Sequence, residues 1–114
     1  MIDVTFVAEW AEYFLVTLLV ELGVAVPLLG RSAPLARRVA TVCFAQLVSH
    51  PAVWFILPAL GLARMPYLVV AEGWAIVSEL LLYRLVFGRL SFWSVLGVSA
   101  LANGASLTVG NLLH

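Results

Sequence analysis

Four ionisable side chains stand where their neighbours are almost wholly apolar: Glu21 in TLLVELGVA, His50 in QLVSHPAVWF, Glu72 in VVAEGWA and Glu79 in IVSELLLY. Gln46, Ser49, Asn103 and Ser106 add amides and hydroxyls in similar surroundings. These groups suit three kinds of chemistry. Carboxylate, amide and hydroxyl oxygens can bind a proton or a hard cation, and an imidazole extends the choice to zinc. On that reading Glu21, His50 and Glu79 are the candidate ligands of a divalent metal ion. The same polar groups can serve as interhelical glue, hydrogen-bonding one helix to the next. They can also form an intramembrane metal-dependent enzyme, with a metal-activated water and a glutamate as base. No HExxH, paired-Glu or Ser/His/Asp arrangement accompanies them, so no catalytic residue is assigned. Cys43 is the only cysteine, which excludes an intrachain disulfide and a cysteine-based zinc site.

The elements that must carry these residues follow from composition. Of the 114 residues, 64% are hydrophobic and 11% charged, and the mean hydropathy is +1.11. A soluble domain carries about 25% charged residues, so this composition reads as a membrane protein. The six basic residues are all arginine and are dispersed, which argues against nucleic acid as a partner and leaves the lipid bilayer as the main one. Four runs approach the roughly 20 apolar residues that a membrane-crossing helix requires. They cover 11–29, 39–60, 67–87 and 92–113. None shows the alternating polarity of a barrel strand. The predicted fold is all-α: a polytopic four-transmembrane-helix bundle forming one transmembrane domain over 1–114. Its short connections make the helices antiparallel neighbours.

Arginines orient the bundle. Arg31, Arg37 and Arg38 lie in the first connection, Arg84 and Arg89 flank the third, and only Arg64 lies in the second. The positive-inside rule then puts connections one and three in the cytoplasm and both termini outside it. A bacterial inner membrane is the expected location. The N-terminal segment carries Asp3, Glu9 and Glu12 and no basic residue, unlike a cleavable signal peptide. Trp10 and Trp93, near span ends, fit interfacial belts, whereas Trp54 and Trp74 lie deeper and read as packing residues.

The two halves, 11–60 and 67–113, look like duplicated helical hairpins. Glu21 precedes Gly30-Arg31 by nine residues, and Glu79 precedes Gly88-Arg89 by the same distance. On the returning helices Ala45-Gln46-x-x-Ser49 matches Ala102-Asn103-x-x-Ser106. A symmetry axis along the membrane normal would set Glu21 opposite Glu79 and Gln46 opposite Asn103. His50 corresponds to Leu107 and Glu72 to Phe14, so these two are additions to a symmetric frame.

At 1.5 Å of rise per residue, Glu21, His50, Glu79 and Asn103 reach similar depths, and Glu72 stands two turns from Glu79 on the same face. An ionised side chain at a helix centre costs on the order of 2.5–3.5 kcal/mol in a bilayer. These residues should therefore face one another, water or a cation, and proximity would permit proton sharing or a glutamate–imidazolium pair. Pro51 removes a backbone donor beside His50, and Pro27 does so near the end of span one. Ala102, Ser106 and Gly110 make a small-residue ladder for helix packing.

In size, span count and the glutamate of its first helix, Glu21, the chain resembles the small multidrug resistance exporters. These are four-helix proteins that work as dimers around a membrane glutamate. The resemblance is one of architecture and implies transport by an oligomer. The chain departs from that pattern in adding Glu79 and His50 at mid-span, and its arginine bias specifies a single orientation. Two functions follow as expectations. One is a proton- or cation-binding transporter or channel-like protein that acts as a homo-oligomer. The other is an accessory or assembly subunit among other membrane subunits, with the polar cluster as glue.

Overall fold

The computed structural model describes residues 3–30 and 33–113. Arg31, part of the orientation argument, lies outside them. The described chain is all-helical: α1 (Val4–Leu29), α2 (Leu35–Phe55), α3 (Arg64–Val86) and α4 (Phe92–Leu113), with a short 3-10 turn, Leu57–Leu60, after α2. Each of the four helical segments is long and apolar enough to cross a membrane.

Helices α1 and α4 begin at side-chain caps, whereas α2 and α3 begin without one. Helix α1 starts at Val4, well before the apolar run at Ala11, because Asp3 Oδ1 accepts the backbone N–H of Phe6 at 2.8 Å. It ends at Gly30, whose φ of 59° is one of two positive values among the described residues, the other being Gly61 at 65°. Gly88, the sequence counterpart of Gly30, has no positive φ, so the repeated glycines do different work. Helix α2 runs through Pro51 and stops just before Leu57-Pro58, since proline disfavours the α conformation in the residue preceding it.

Side chains satisfy carbonyls left open at these ends. The Arg38 guanidinium donates to Val26 O at 2.7 Å and to Ala33 O at 3.1 Å, closing the end of α1. Tyr67 donates its hydroxyl to Val53 O near the end of α2, and Arg84 donates to Leu90 O in the α3–α4 turn. Arg84 thus points away from the buried glutamates. Ser91 Oγ caps α4 by accepting the Ser94 N–H at 3.1 Å.

Neighbours pack in the order α1, α2, α3, α4 and back to α1, with α1 against α4 the most extensive contact. The body measures 43 × 24 × 23 Å. Its buried residues, Ala71 apart, lie towards the end formed by the α1–α2 and α3–α4 turns. There Ala25, Leu29, Val42, Ala45, Tyr83, Phe87, Val95, Val98 and Ala102 make a dense core. Towards the opposite end the helices part around a cavity. The outward faces are apolar, with Leu19, Leu47, Leu81 and Leu101 exposed.

Buried positions recur between the halves. Glu21, Ala25 and Leu29 of α1 map onto Glu79, Tyr83 and Phe87 of α3 at one constant offset. Thr41, Val42, Ala45, Gln46 and Ser49 of α2 map onto Val98, Ser99, Ala102, Asn103 and Ser106 of α4 at an offset one residue shorter.

The small-residue ladder of α4 has two buried rungs. Ala102 and Ser106 are buried, but Gly110 lines the cavity and a Cβ added there would meet nothing within 4 Å. Ala102→Leu should therefore cost about 1–3 kcal/mol by overpacking. Gly110→Ala should be neutral or gain up to about 1 kcal/mol of helix propensity. Thermal midpoints of the purified variants in one detergent check this, and equal losses from both would refute it.

Candidate functional site

The two glutamates of the repeat reach the bundle axis from diagonally opposed helices. The backbones of α1 and α3 do not touch, but the carboxyl groups of Glu21 and Glu79 lie within hydrogen-bonding reach of each other. Both residues are fully buried, at 0% exposure.

Their surroundings differ. Glu79 accepts from four donors on three helices. Gln46 Nε2 on α2 and the Tyr83 hydroxyl on α3 donate to Oε1 at 3.4 and 3.3 Å. Ser99 Oγ on α4 donates to Oε2 at 3.4 Å, and Asn103 Nδ2 donates to the same oxygen. Helical spacing builds this cradle: Tyr83 stands one turn after Glu79, and Asn103 one turn after Ser99. Asn103 is itself held by the Ser99 carbonyl, which accepts from Nδ2 at 2.8 Å. Such a set of donors suits an ionised carboxylate, which only accepts.

Glu21 has much less. Ser106 Oγ donates to its Oε1 at 3.4 Å, but that hydroxyl also lies 3.0 Å from Asn103 O and has one proton to give. Oε2 of Glu21 has no hydrogen-bond donor, and it is the one buried side-chain polar atom left so among the described residues. A buried carboxyl oxygen without a donor is costly unless it bears a proton of its own and donates it. The nearby Glu79 carboxylate is an acceptor within reach.

Above this pair, in the half where the helices part, a cavity of about 370 Å³ lies between all four helices. Gln46, Ser49, Asn103 and Ser106 line it on the side nearest the glutamates. Phe6, Tyr13, Trp54, Tyr67 and Leu68 contribute to its walls, together with His50 and Glu72. An aromatic cluster braces these walls: Trp54 lies 5.4 Å from Phe6 and 5.0 Å from Tyr13 between ring centroids. Trp74 donates to Ser49 O at 3.2 Å, tying α3 to α2.

Of the eight residues singled out in the sequence, Glu21, Gln46, Glu79, Asn103 and Ser106 meet in one hydrogen-bonded group. Ser49 is buried beside it, while His50 and Glu72 stand on the cavity wall. His50 does not join Glu21 and Glu79. Its Nδ1 accepts the Trp10 indole N–H at 3.1 Å, and Phe14 packs edge-on against its ring. That acceptor role puts the imidazole proton on Nε2. Among the described residues no three of His, Cys, Asp and Glu gather as a metal site would require. The candidate ligands Glu21, His50 and Glu79 are therefore divided between two places. Trp10, assigned to an interfacial belt by its position, is half-buried and holds the histidine. Tyr83 was not singled out, although its one-turn spacing from Glu79 is a signal that would have found it.

Asn103→Leu keeps the branching and heavy-atom count of the side chain but strips Glu79 Oε2 and Ser99 O of a donor. It should cost about 1–3 kcal/mol. Ser106→Ala, losing only a long and divided bond, should cost less than about 1 kcal/mol. Thermal unfolding of the two purified variants tests this ranking, and an equal or reversed cost would contradict it. Comparison with family models, with curated proteins and with solved structures finds no match for this chain.

Proposed function

We propose that this chain is an integral membrane protein whose Glu21–Glu79 pair holds one exchangeable proton, as part of a proton-coupled transporter or channel-like activity. The observation that carries the reading is the unmatched oxygen. Glu21 Oε2 lacks a donor while the Glu79 carboxyl lies within reach. Two carboxylates side by side in a buried site cannot both ionise. One proton on Glu21, donated to Glu79, removes the repulsion and the unmatched oxygen together. The two carboxyl groups titrate as a pair, so gain or loss of this proton is a property of both together.

Several observations support the membrane setting. All four helices have the length and apolarity to span a bilayer, and leucines on each outward face are exposed. The arginine bias favours an orientation with the dense end of the bundle towards the cytoplasm and the cavity facing outward. The recurrence of buried positions between α1–α2 and α3–α4 supports an origin in two duplicated hairpins. The cavity then gives the pair access to the outer side through Gln46, Ser49, Asn103 and Ser106.

A second reading, interhelical glue in an assembly subunit, draws on Gln46, Ser99 and Asn103, whose bonds to Glu79 tie α2 and α4 to α3. The two readings part at Glu21. Glu21→Gln places an amide N–H where the shared proton would lie, so folding should survive with little change in thermal midpoint. Proton movement into dye-loaded proteoliposomes should be lost. Glu79→Gln turns one accepting oxygen into a donor facing other donors and should cost about 1–3 kcal/mol more. Proton movement equal to the unmodified protein in both variants would leave only the glue reading.

A further inference from the structure

The cavity wall holds a charge that the carboxyl pair does not use. Glu72 is the only acidic residue among those lining the cavity, and no arginine or lysine lines it. Its carboxyl has no hydrogen-bond or ion-pair partner among the described residues, and the one charge-bearing group it acts on is the Glu21 carboxyl. The other ionisable ring near it, His50, has its Nδ1 occupied by Trp10. The site thus presents one unpartnered carboxyl group in a cavity whose remaining surface is largely aromatic and aliphatic.

We propose that the cavity binds a small organic cation, with its ammonium or amidinium group on Glu72 and its apolar body against Phe6, Tyr13, Trp54 and Tyr67. Charge excludes an anion, and a neutral guest would leave Glu72 unpaired in a poorly solvated place. A bare metal ion fits no better, because no three ligand side chains converge and the walls are apolar. A cation with an apolar body satisfies both features, since aromatic faces attract it as well as burying it. The volume, about 370 Å³, falls within the range of pockets that enclose small organic molecules. This site lies to one side of the Glu21–Glu79 pair, although Glu72 is near enough to act electrostatically on Glu21. Glu72 lies two turns from Glu79 along α3, and its sequence counterpart in the other half is Phe14.

Isothermal titration of the purified protein in an uncharged detergent tests the proposal with three matched probes: 2-naphthylmethylammonium, 2-naphthylmethanol and 2-naphthoate. The ammonium should bind about tenfold or more tightly than the alcohol, and the carboxylate should not bind. Glu72→Gln should reduce the ammonium to the level of the alcohol, whereas Glu72→Asp, which keeps the charge, should retain part of the preference. An ammonium-bearing lipid headgroup offers the same chemistry. Competition by added phosphatidylethanolamine would place the source in the bilayer, and its absence would favour a free amine. Equal affinity for the ammonium and the alcohol, or unchanged ammonium binding in folded Glu72→Gln, would overturn the proposal. The titration reads binding alone, so it stands or falls independently of proton movement by the carboxyl pair.

Discussion

The meeting of two buried carboxyl groups at the bundle axis is the constraint from which most of this structure follows. In a bilayer each charged carboxylate costs on the order of 2.5–3.5 kcal/mol, and an average interhelical hydrogen bond returns only about 0.6 kcal/mol. Three such bonds, which Glu79 receives from α2 and α4, together with the Tyr83 hydroxyl on its own helix, offset part of the cost of one charge. No comparable set exists for a second charge at Glu21. Two anions at this level are therefore disfavoured, and Glu79 is the better provided of the two to be a single one. The helices must also bring their amides and hydroxyls to one depth, which fixes the register of α2 and α4 against α3.

Matched and unmatched positions of the two halves supply different parts of the arrangement. The recurring positions explain why both glutamates arrive at the axis and why Gln46 and Asn103 flank them. The inequality comes from what fills equivalent places. Tyr83 of α3 corresponds to Ala25 of α1, and Ser99 of α4 corresponds to Val42 of α2. In each case the donor stands in the second half and beside Glu79. A strictly symmetric frame would present two equal carboxyls, and the proton would have no preferred side. Tyr83 and Ser99 are thus two of the differences between the halves that set the surroundings of the two carboxyl groups apart.

Most of the frame could be read from the chain, because apolar runs and arginine-bearing turns delimit the helices. The glutamates were also legible, since an acidic residue in such a run needs a partner and the matched spacing named it. What escaped were contacts set by helix ends and by which neighbour a side chain chooses. Helix α1 begins at Val4 because Asp3 caps it. That places Trp10 in a packed turn where its indole reaches His50. Depth alone set His50 level with the glutamates, but its position around α2 turned it to the cavity wall. Gly88 repeats Gly30 in sequence without its backbone conformation, so a matched residue did not carry a matched structure.

The unequal ends of the bundle bear on how any site at its centre exchanges with its surroundings. On one side of the carboxyl pair lies a cavity edged by Gln46, Ser49, Asn103 and Ser106. On the other lies the close-packed group of Leu29, Val42, Tyr83, Phe87 and Val95, all within 1% of complete burial. Polar side chains border the pair on the cavity side, whereas the dense side is packed mainly with apolar ones. Passage there requires this packing to open. Tyr83 joins the two regions, since its hydroxyl donates to Glu79 while its ring lies 6.0 Å from Phe87 in an edge-on contact. Protonating Glu79 weakens that hydroxyl's acceptor, because a neutral carboxyl is a poorer partner than a carboxylate. The protonation state of the pair is thus coupled by one side chain to the packing that closes the bundle.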